Sequence, residues 1–516
     1  MDALRASAGA PGGCHGPLRS HQEGEEGHDK ERENGSEIHP EYGGKEIVSS
    51  KSGKFNISRP QCPLLMERSR KKLLKISAVT TGLIVAVVLI IVIATSNSGV
   101  HTGEGVEEEQ PEPLMVVDFQ EPYVFHKQGY EPGIAVDSTG ALYYTAHKNL
   151  DDKSSWDYLA SWFFVSTDNG KTWTSPTEPF PRGALWQTYL GDEGDIAVDA
   201  MDNVYFVDTY LIDNHIHVWA NQGQYQYSVR VQKTTGLDDR PWITAQGDGI
   251  VHYLGNNAVE VNGGRYWYYR STNGARTFSR ADPVPGNGWA HIDCERNGDH
   301  VYVVSESNTG ADADILMYVS NDRGVTWNWN DPILIGHRDG PGREYPIVSA
   351  QEDGVVWVLW NDAEKGVVNG TRIFIGRSLD YGQTWETWNI TPFKAFIDYP
   401  TINAGPDGSV AVAFYASKDL PVSSESEWYL YGAMDLNATV HEPSLNFTKG
   451  DPNPCYVGDD LHALHDFFEI VISPDMALNI AYQYYVGPEN GHSDLYFVRG
   501  SYGKMELPEP EPAAGS

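Results

Sequence analysis

The sequence predicts an all-β fold, a seven-bladed β-propeller preceded by one transmembrane helix, with a six-bladed ring as the alternative. Three observations lead to this prediction. An eight-residue phrase recurs along the chain, a longer two-strand unit recurs around it, and helical periodicity is nearly absent outside one apolar segment. The 52 glycines, 29 tyrosines and 15 tryptophans among 516 residues suit many short strands joined by turns.

The short phrase has the form SxDxGxTW. It reads STDNGKTW at residues 166–173, SNDRGVTW at 320–327 and SLDYGQTW at 378–385, and a degenerate copy, STNGARTF, occupies 271–278. Ser and Asp side chains bond nearby backbone groups in tight turns, and Gly supplies a backbone conformation that other residues resist. The phrase therefore predicts a turn between two strands, with the tryptophan packed beneath it.

The three complete copies resemble the Asp box, or BNR repeat, of the sialidase superfamily. This resemblance implies a propeller in which each box fastens the rim of a blade. The residues of the boxes are then scaffold, and we assign them no chemistry.

A longer unit encloses these phrases, and each copy consists of an apolar strand, a turn with Gly or Asp, and a second apolar strand. Seven copies begin at residues 131, 193, 240, 289, 344, 398 and 466. Units of about fifty residues hold four strands and their loops, which predicts seven blades. The last unit lacks an obvious fourth strand, and we expect LMVVDF at 114–119 to pair there and remove an exposed edge.

The uncharged segment at residues 76–95 predicts a membrane-spanning helix, since twenty helical residues span about 30 Å. Basic residues precede it and acidic residues follow it, so the positive-inside rule predicts a single-pass type II protein with its C-terminal domain extracellular or lumenal. The expected organisation is a disordered cytoplasmic tail at 1–75, the signal-anchor helix at 76–95, an acidic linker at 96–113, the propeller at 114–502 and a disordered tail at 503–516.

Charge and covalent features agree with an external domain. The formal net charge of −34 argues against nucleic acid as a partner. Cys294 and Cys455 could form one disulfide if the fold brings them together. Sequons predict glycosylation at Asn369, Asn389, Asn437 and Asn446.

Candidate site residues come just before the predicted innermost strands, because the loops that enter these strands share one mouth. The residues at these places are Glu131; Asp192, Glu193 and Asp195; Asp238, Asp239 and Arg240; Trp289 and His291; Arg343 and Glu344; Asp398 and Tyr399; and His465 and Asp466. The candidate catalytic residues are Glu131, Glu193, Asp239, Arg240, Arg343, Glu344, Asp398 and Asp466. Alternatively, these groups cap strands or pair with one another to close the channel.

The resemblance to sialidases implies three arginines that hold the substrate carboxylate, a Tyr nucleophile assisted by Glu, and an Asp acid/base. The usual (F/Y)RIP phrase is missing, since the matching place reads YEPGIAV with Glu131 where a cation would be needed. Arg240 and Arg343 are candidates for two of the three arginines. Arg182, Arg265 or Arg499 could supply the third.

A second candidate is the segment GDDLHALHDFFE, in which Asp459, Asp460, His462 and His465 could bind a divalent cation such as Ca²⁺. The spacing matches no established metal signature, and a hydrogen-bonded loop explains it equally. We expect no required cofactor.

Two functions follow as hypotheses. The first is a cell-surface, sialidase-like glycoside hydrolase acting on an extracellular glycan or glycoprotein. The second is a non-catalytic propeller that binds glycan or protein as an adhesin, receptor or attachment protein. Phosphate-binding loops, HExxH, GxSxG and paired CxxC motifs are absent from the sequence, which gives no support to nucleotide, zinc-protease or serine-hydrolase chemistry.

Overall fold

The computed structural model describes residues 114–148, 161–176, 194–208, 214–231, 238–261, 264–279, 282–308, 312–340, 345–363, 370–456, 464, 467–485 and 493–504. Within these ranges the side chains of residues 238–240, 257–261, 264, 265, 363 and 456 are not described. The apolar segment 76–95, the linker and both predicted tails before 114 and after 504 lie outside the description. In the part that is described, no helix has the length and hydrophobicity needed to span a bilayer.

The described chain consists of strands and turns, with one short 3-10 helix at Pro406–Gly408. The strands of the first half are β1 (Met115–Phe119), β2 (Tyr123–Val136), β3 (Leu142–Lys148), β4 (Ser161–Ser166), β5 (Ile196–Val198), β6 (Val204–Asp208), β7 (His215–Ala220), β8 (Gln224–Arg230), β9 (Asp238–Gln246), β10 (Ile250–Val261), β11 (Gly264–Ser271), β12 (Asp282–Pro283), β13 (Ala290–Cys294) and β14 (Val301–Glu306). Those of the second half are β15 (Ala313–Ser320), β16 (Ile333–Arg338), β17 (Ile347–Ala350), β18 (Val356–Ala363), β19 (Thr371–Ser378), β20 (Glu386–Asn389), β21 (Phe396–Ala404), β22 (Val410–Ser417), β23 (Glu427–Asp435), β24 (Thr448–Lys449), β25 (Cys455–Tyr456), β26 (Glu469–Ile472), β27 (Ala477–Tyr485) and β28 (Ser493–Lys504).

These strands form antiparallel sheets, most of them four-stranded. β5 to β8, β9 to β12, β13 to β16 and β17 to β20 each make a four-stranded sheet in chain order, and β21 to β24 make another that β25 joins through β23. The remaining sheet has the order β26-β27-β28-β2-β3-β4, with β1 also paired to β28. The all-β prediction is therefore confirmed.

Each of the seven predicted units forms an antiparallel hairpin of two strands. The hairpins are β2-β3, β5-β6, β9-β10, β13-β14, β17-β18, β21-β22 and β26-β27. The expected edge pairing is also present, since β1 runs beside β28 from Met115 opposite Lys504 to Phe119 opposite Gly500.

The first strands of these hairpins, which we call the inner strands, contact one another in chain order: β2 with β5, then β9, β13, β17, β21 and β26. β26 in turn contacts β2, so the contacts close into a ring. Many four-stranded sheets around such a ring are consistent with a propeller. We call the end of the ring where the inner strands begin the entry end, and the opposite end, where the hairpins turn, the turn end.

The Asp boxes follow the third strands β4, β15 and β19, as the sequence predicts. In the first box, Ser166 Oγ donates to Asp168 Oδ1, and Asp168 accepts from both the backbone N and the hydroxyl of Thr172. Gly170 has a φ of 78°, in the left-handed region that favours glycine. The boxes of Asp322 and Asp380 repeat these bonds.

The degenerate box keeps the same geometry with other side chains. Asn273 Oδ1 accepts from Ser271 Oγ and from the backbone N of Thr277, while its amide donates to the Thr277 hydroxyl. Asn therefore replaces Asp without loss of the turn.

The core lies between the faces of neighbouring sheets. One cluster joins β13 and β14 to β10 and β11 through Ile292, Val303, Leu254 and Tyr268, and similar clusters fill the other interfaces. Cys294 and Cys455 belong to different clusters, and both are buried free thiols. The fold does not bring them together, so the disulfide that the sequence left open is not formed.

Candidate functional site

Two of the eight candidate catalytic side chains, Glu131 and Asp398, fall in the described part of the chain. Both lie at the entry end and are buried, with 3% and 1% exposure. The side chains of Asp239 and Arg240 are not described, although their backbone forms the start of β9. Glu193, Arg343, Glu344 and Asp466 lie outside the described residues, as do the four candidate metal ligands, Asp459, Asp460, His462 and His465, and Asn369.

Glu131 and Asp398 occupy matching irregularities in their strands. Glu131 precedes Pro132 and has a φ of 52°, and Tyr399, which follows Asp398, precedes Pro400 with a φ of 51°. In both strands the pairing register shifts at this point. Non-glycine residues with positive φ are costly and concentrate at functional sites, so these two turns are notable features of the entry end.

An aromatic plug crosses the ring below these turns. It consists of Trp242, His291, Tyr345 and Phe467, with Trp289 packed on Tyr345 at 4.8 Å between ring centroids. Trp242 lies 4.7 Å from His291, 5.3 Å from Tyr345 and 5.1 Å from Phe467. Because the sheets of Trp242 and Phe467 are not neighbours in the ring, their contact spans the channel.

A cavity of about 760 Å³ lies along the inner strands on the other side of this plug. Trp242, His291 and Phe467 form part of its wall, and residues of the hairpin turns, such as Glu352 and Asp407, line its far side. Glu131 and Asp398 do not line it. The cavity thus belongs to the turn end, whereas the predicted mouth lies at the entry end.

Six polar side chains, which we call the channel ring, connect the inner strands around this cavity: Asp195, Thr244, Asp293, Ser349, Asn403 and Glu469. An inner strand is the free edge of its sheet, so some of its N–H groups need partners other than a strand. Asp195 accepts from Ile243 N at 2.6 Å, Asp293 from Ala350 N at 2.8 Å, Ser349 from Ala404 N at 2.9 Å, Asn403 from Ile472 N at 2.9 Å, and Glu469 from Ile134 N at 2.9 Å. Thr244 donates its hydroxyl to Asp293 at 3.0 Å.

Three carboxyls of the channel ring hold protons more tightly than usual. Burial raises the pKa of Asp195 to about 7 and that of Asp293 to about 6, although backbone N–H groups oppose the change. Burial and the nearby Asp195 charge raise the pKa of Glu469 well above its usual range. The side chains of Asp195 and Glu469 are hydrogen-bonded to each other, and the bond favours a proton on Glu469.

This pair is poorly suited to glycoside hydrolysis on its own. Retaining enzymes separate their two carboxyls by about 5 Å and inverting enzymes by more, to leave room for sugar or water. A direct hydrogen bond brings Asp195 and Glu469 closer than that. His291, whose pKa burial lowers to about 3, is a neutral imidazole at ordinary pH. The described cavity therefore shows a network that joins strands rather than an open acid/base pair.

Sequence reasoning named Asp195 and His291 among the entry residues but missed Asp293 and Glu469. The signal was present in the sequence. We take as the turn residue of each unit the residue at which its first strand gives way to the hairpin turn: Asp137, Asp199, Gln246, Glu295, Gln351, Gly405 and Ser473. Aligning the units on these residues places Thr244, Asp293, Ser349 and Asn403 at one position, two residues before the turn residue. Polar side chains on a strand otherwise filled with apolar residues would have marked this position.

The predictions of a metal site and of glycosylated asparagines can be compared with the described residues in part. No group of three or more His, Cys, Asp and Glu side chains could hold a metal ion among the described residues. Asn389 and Asn437 are exposed, whereas Asn446 is half-buried and its amide donates to the Met115 carbonyl at 2.9 Å.

Comparison with known proteins gives a short family match and distant structural likenesses. The BNR/Asp-box repeat model matches residues 164–175. No curated protein is detectably similar in sequence. The intramolecular trans-sialidase of Ruminococcus gnavus is 14% identical, covering 74% of this chain and 96% of that one at a TM-score of 0.38. The NanB sialidase of Streptococcus pneumoniae is 12% identical, with coverages of 75% and 70% and a TM-score of 0.36.

An ulvan lyase from a polysaccharide lyase family is 11% identical, with coverages of 75% and 96% and a TM-score of 0.44. The repeat match coincides with the first Asp box and its third strand, whose bonds the structure shows. The chain therefore carries a BNR/Asp-box repeat at residues 164–175.

Proposed function

We propose that the chain is a sialidase-like, glycan-processing propeller that acts at its entry end on an extracellular glycan or glycoprotein. The observation that carries this proposal is the pair of buried acids, Glu131 and Asp398, beside matching left-handed turns before proline. Glycosidases need two carboxyls at a suitable separation, and Glu131 and Asp398 are two acids buried at the entry end. Arg240 and Arg343 would orient an anionic group of the substrate.

The proposed architecture around this mouth is a ring of seven blades. β26, β27, β28 and β1 make the last blade, and β2, β3 and β4 begin the first. The ring of inner-strand contacts supports this count. We further propose that residues 76–95 anchor the domain as a single-pass type II membrane protein, and that Asn389 and Asn437, which are exposed, carry glycans.

A second candidate is a non-catalytic propeller that binds glycan or protein. The channel ring favours it, since its acids are all engaged in hydrogen bonds between strands. If the acids at the mouth are bonded in the same way, the entry end recognises a ligand without cleaving it.

The test is turnover of a panel of fluorogenic glycosides, sialosides included, by the purified full-length protein. We expect Asp398→Asn, Glu131→Gln and Glu344→Gln to lower kcat by about 100-fold or more, as loss of a general acid or base does. Glu352→Gln, at an exposed position of the turn end, is the matched control and should leave kcat unchanged.

Absence of turnover on every sugar would exclude the hydrolase. Binding of glycans on an array without turnover would then support the second candidate, and loss of that binding in Asp398→Asn would place it at the entry end. Turnover or binding that is unchanged by chelation of divalent cations would remove the proposed role of Asp459, Asp460, His462 and His465.

A further inference from the structure

The hydrogen bond between Glu469 and Asp195 joins two sheets that are not neighbours in the ring. Glu469 begins β26 and Asp195 directly precedes β5, and β2 lies between these two inner strands. Glu469 thus bonds two successive blades, because Oε2 accepts from Ile134 N of β2 while the carboxyl bonds Asp195 beside β5. The other bonds of the channel ring connect adjacent inner strands only.

This arrangement compensates for a local lack of polar side chains. Thr244, Asp293, Ser349 and Asn403 lie two residues before the turn residue of their units, whereas Ala135, Ala197 and Val471 occupy that position in β2, β5 and β26. In the units of β5 and β26 the bonds come from a position two residues earlier, where Asp195 and Glu469 lie. Gly133 of β2 lies at that position, and a Cβ there would meet Glu469 Oε2 at 3.0 Å. A glycine thus leaves room for the glutamate to pass.

The bond needs one proton. An ionised carboxylate only accepts hydrogen bonds, so two carboxyls can bond each other only while one of them is protonated. With both ionised, the bond is lost and two like charges face each other in a confined cavity. The sheet of β26 is also the one in which the beginning of the domain, β1, pairs with its end, β28.

We propose that the Glu469–Asp195 hydrogen bond is a proton-dependent clasp over the junction where the two ends of the domain meet, and that ionisation of both carboxyls loosens this junction. β1, β2, β26 and β28 are the strands whose pairing would weaken. The clasp acts on the stability of the ring and is independent of the proposed glycan chemistry at the entry end.

The groups around the clasp determine the direction of its response. β13 contributes Asp293, whose charge acts on both carboxyls, and His291, which is neutral. The uncharged groups are Thr244 of β9, Ser349 of β17 and Asn403 of β21. Arg296 also lines the cavity. A carboxyl with a raised pKa in the folded state stabilises it fully below its unfolded pKa of about 4, and this contribution disappears as pH rises through the folded pKa. For Asp195 that value is about 7, and for Glu469 it is higher.

The test is hydrogen exchange of the full-length protein, corrected for intrinsic rates. We expect protection of the β1, β28 and first β2 amides, relative to β14, to fall about tenfold or more between about pH 5 and about pH 9. In Glu469→Gln the amide donates to Asp195 at every pH, so the relative protection should stay within about twofold. Glu352→Gln, at an exposed position of the same cavity, is the control and should respond as the unchanged protein does.

Equal pH responses of the unchanged protein and Glu469→Gln would overturn the clasp, and so would loss of the response in Glu352→Gln. If Glu469→Gln does not fold, infrared spectra of the unchanged protein decide the matter. A protonated carboxyl band must be present at about pH 6 and must disappear together with the protection of β1 as pH rises. Its absence at the lower pH would contradict the proposal.

Discussion

At the scale of single residues, each Asp box is a small set of bonds that fixes one turn. Asp380 accepts from Ser378 Oγ, from the backbone N of Thr384 and from the Thr384 hydroxyl. The box of Asn273 keeps the corresponding bonds because an amide can accept on one side and donate on the other. The acceptor position therefore matters more than the negative charge.

This comparison predicts the effects of two substitutions at one position. Asp380→Ala should lower the free energy of unfolding by about 1–2 kcal/mol, because the Thr384 and Ser378 donors lose their acceptor. Asp380→Asn should cost less than about 0.5 kcal/mol, since Asn273 shows that an amide fits the turn. Denaturant unfolding of both variants checks this, and equal losses would show that charge rather than bond pattern stabilises the box.

The two described cysteines give a second prediction at this scale. Cys294 and Cys455 are buried, and burial raises the pKa of each thiol. In a Cys14→Ser/Cys62→Ser background, a thiol reagent should label neither cysteine in the folded protein and both after unfolding. Labelling of neither cysteine in the unreduced, unfolded protein would reveal a disulfide and contradict the free thiols.

At the scale of elements, the pairing of β1 with β28 joins distant parts of the sequence. β28 presents glycines to β1 at two places with different surroundings. A Cβ on Gly500 would meet Val117 Cγ1 at 2.2 Å, whereas a Cβ on Gly503 would meet nothing within 4 Å. The close packing of Val117 and Phe119 over Gly500 holds β1 in place.

The two glycines form a matched pair for testing this contact. Gly500→Ala should lower the free energy of unfolding by about 1–3 kcal/mol, because β1 must shift away from β28. Gly503→Ala should be neutral or slightly stabilising, since alanine loses less backbone freedom on folding. Thermal unfolding of both variants measures the difference, and a loss that is equal in both would show that β1 does not pack as described.

The elements could be predicted from the sequence to different extents. The hairpins and the box turns were predictable, because their alternating apolar residues and their Ser, Asp and Gly signals act over fewer than twenty residues. The pairing of LMVVDF with the last sheet was also predictable, from a missing fourth strand. The link between Glu469 and Asp195 was not, because it depends on which inner strands meet across the channel and on the room that Gly133 leaves.

At the scale of the whole molecule, acids with opposite pKa changes limit stability at both ends of the pH range. The bond from the Thr172 side chain lowers the pKa of Asp168, while bonds in the other boxes outweigh burial and lower those of Asp322 and Asp380. These acids stabilise the fold above their unfolded pKa of about 4 and lose that contribution as pH falls. Asp293 and Asp195 act in the opposite direction, with pKa values of about 6 and about 7.

We therefore expect the midpoint of thermal unfolding to be highest near pH 4, about the unfolded pKa that both groups share, and to decrease on either side. Asp293→Asn should weaken the decrease between about pH 4 and about pH 6, the interval between the unfolded and folded pKa values of Asp293, and leave the acid side unchanged. Calorimetry at a series of pH values and constant ionic strength measures the midpoint on both the acid and the alkaline side of its maximum. A midpoint that keeps rising up to about pH 8 would show that the channel acids are ionised in the folded state.

The aromatic plug has a consequence for traffic through the middle of the toroid. Among the described residues, four rings contributed by separate sheets meet across the ring of inner strands and separate the cavity of the turn end from Glu131 and Asp398. We therefore expect the two ends to behave as separate compartments. A molecule bound among the hairpin turns would then not compete for space with a ligand bound at the entry end.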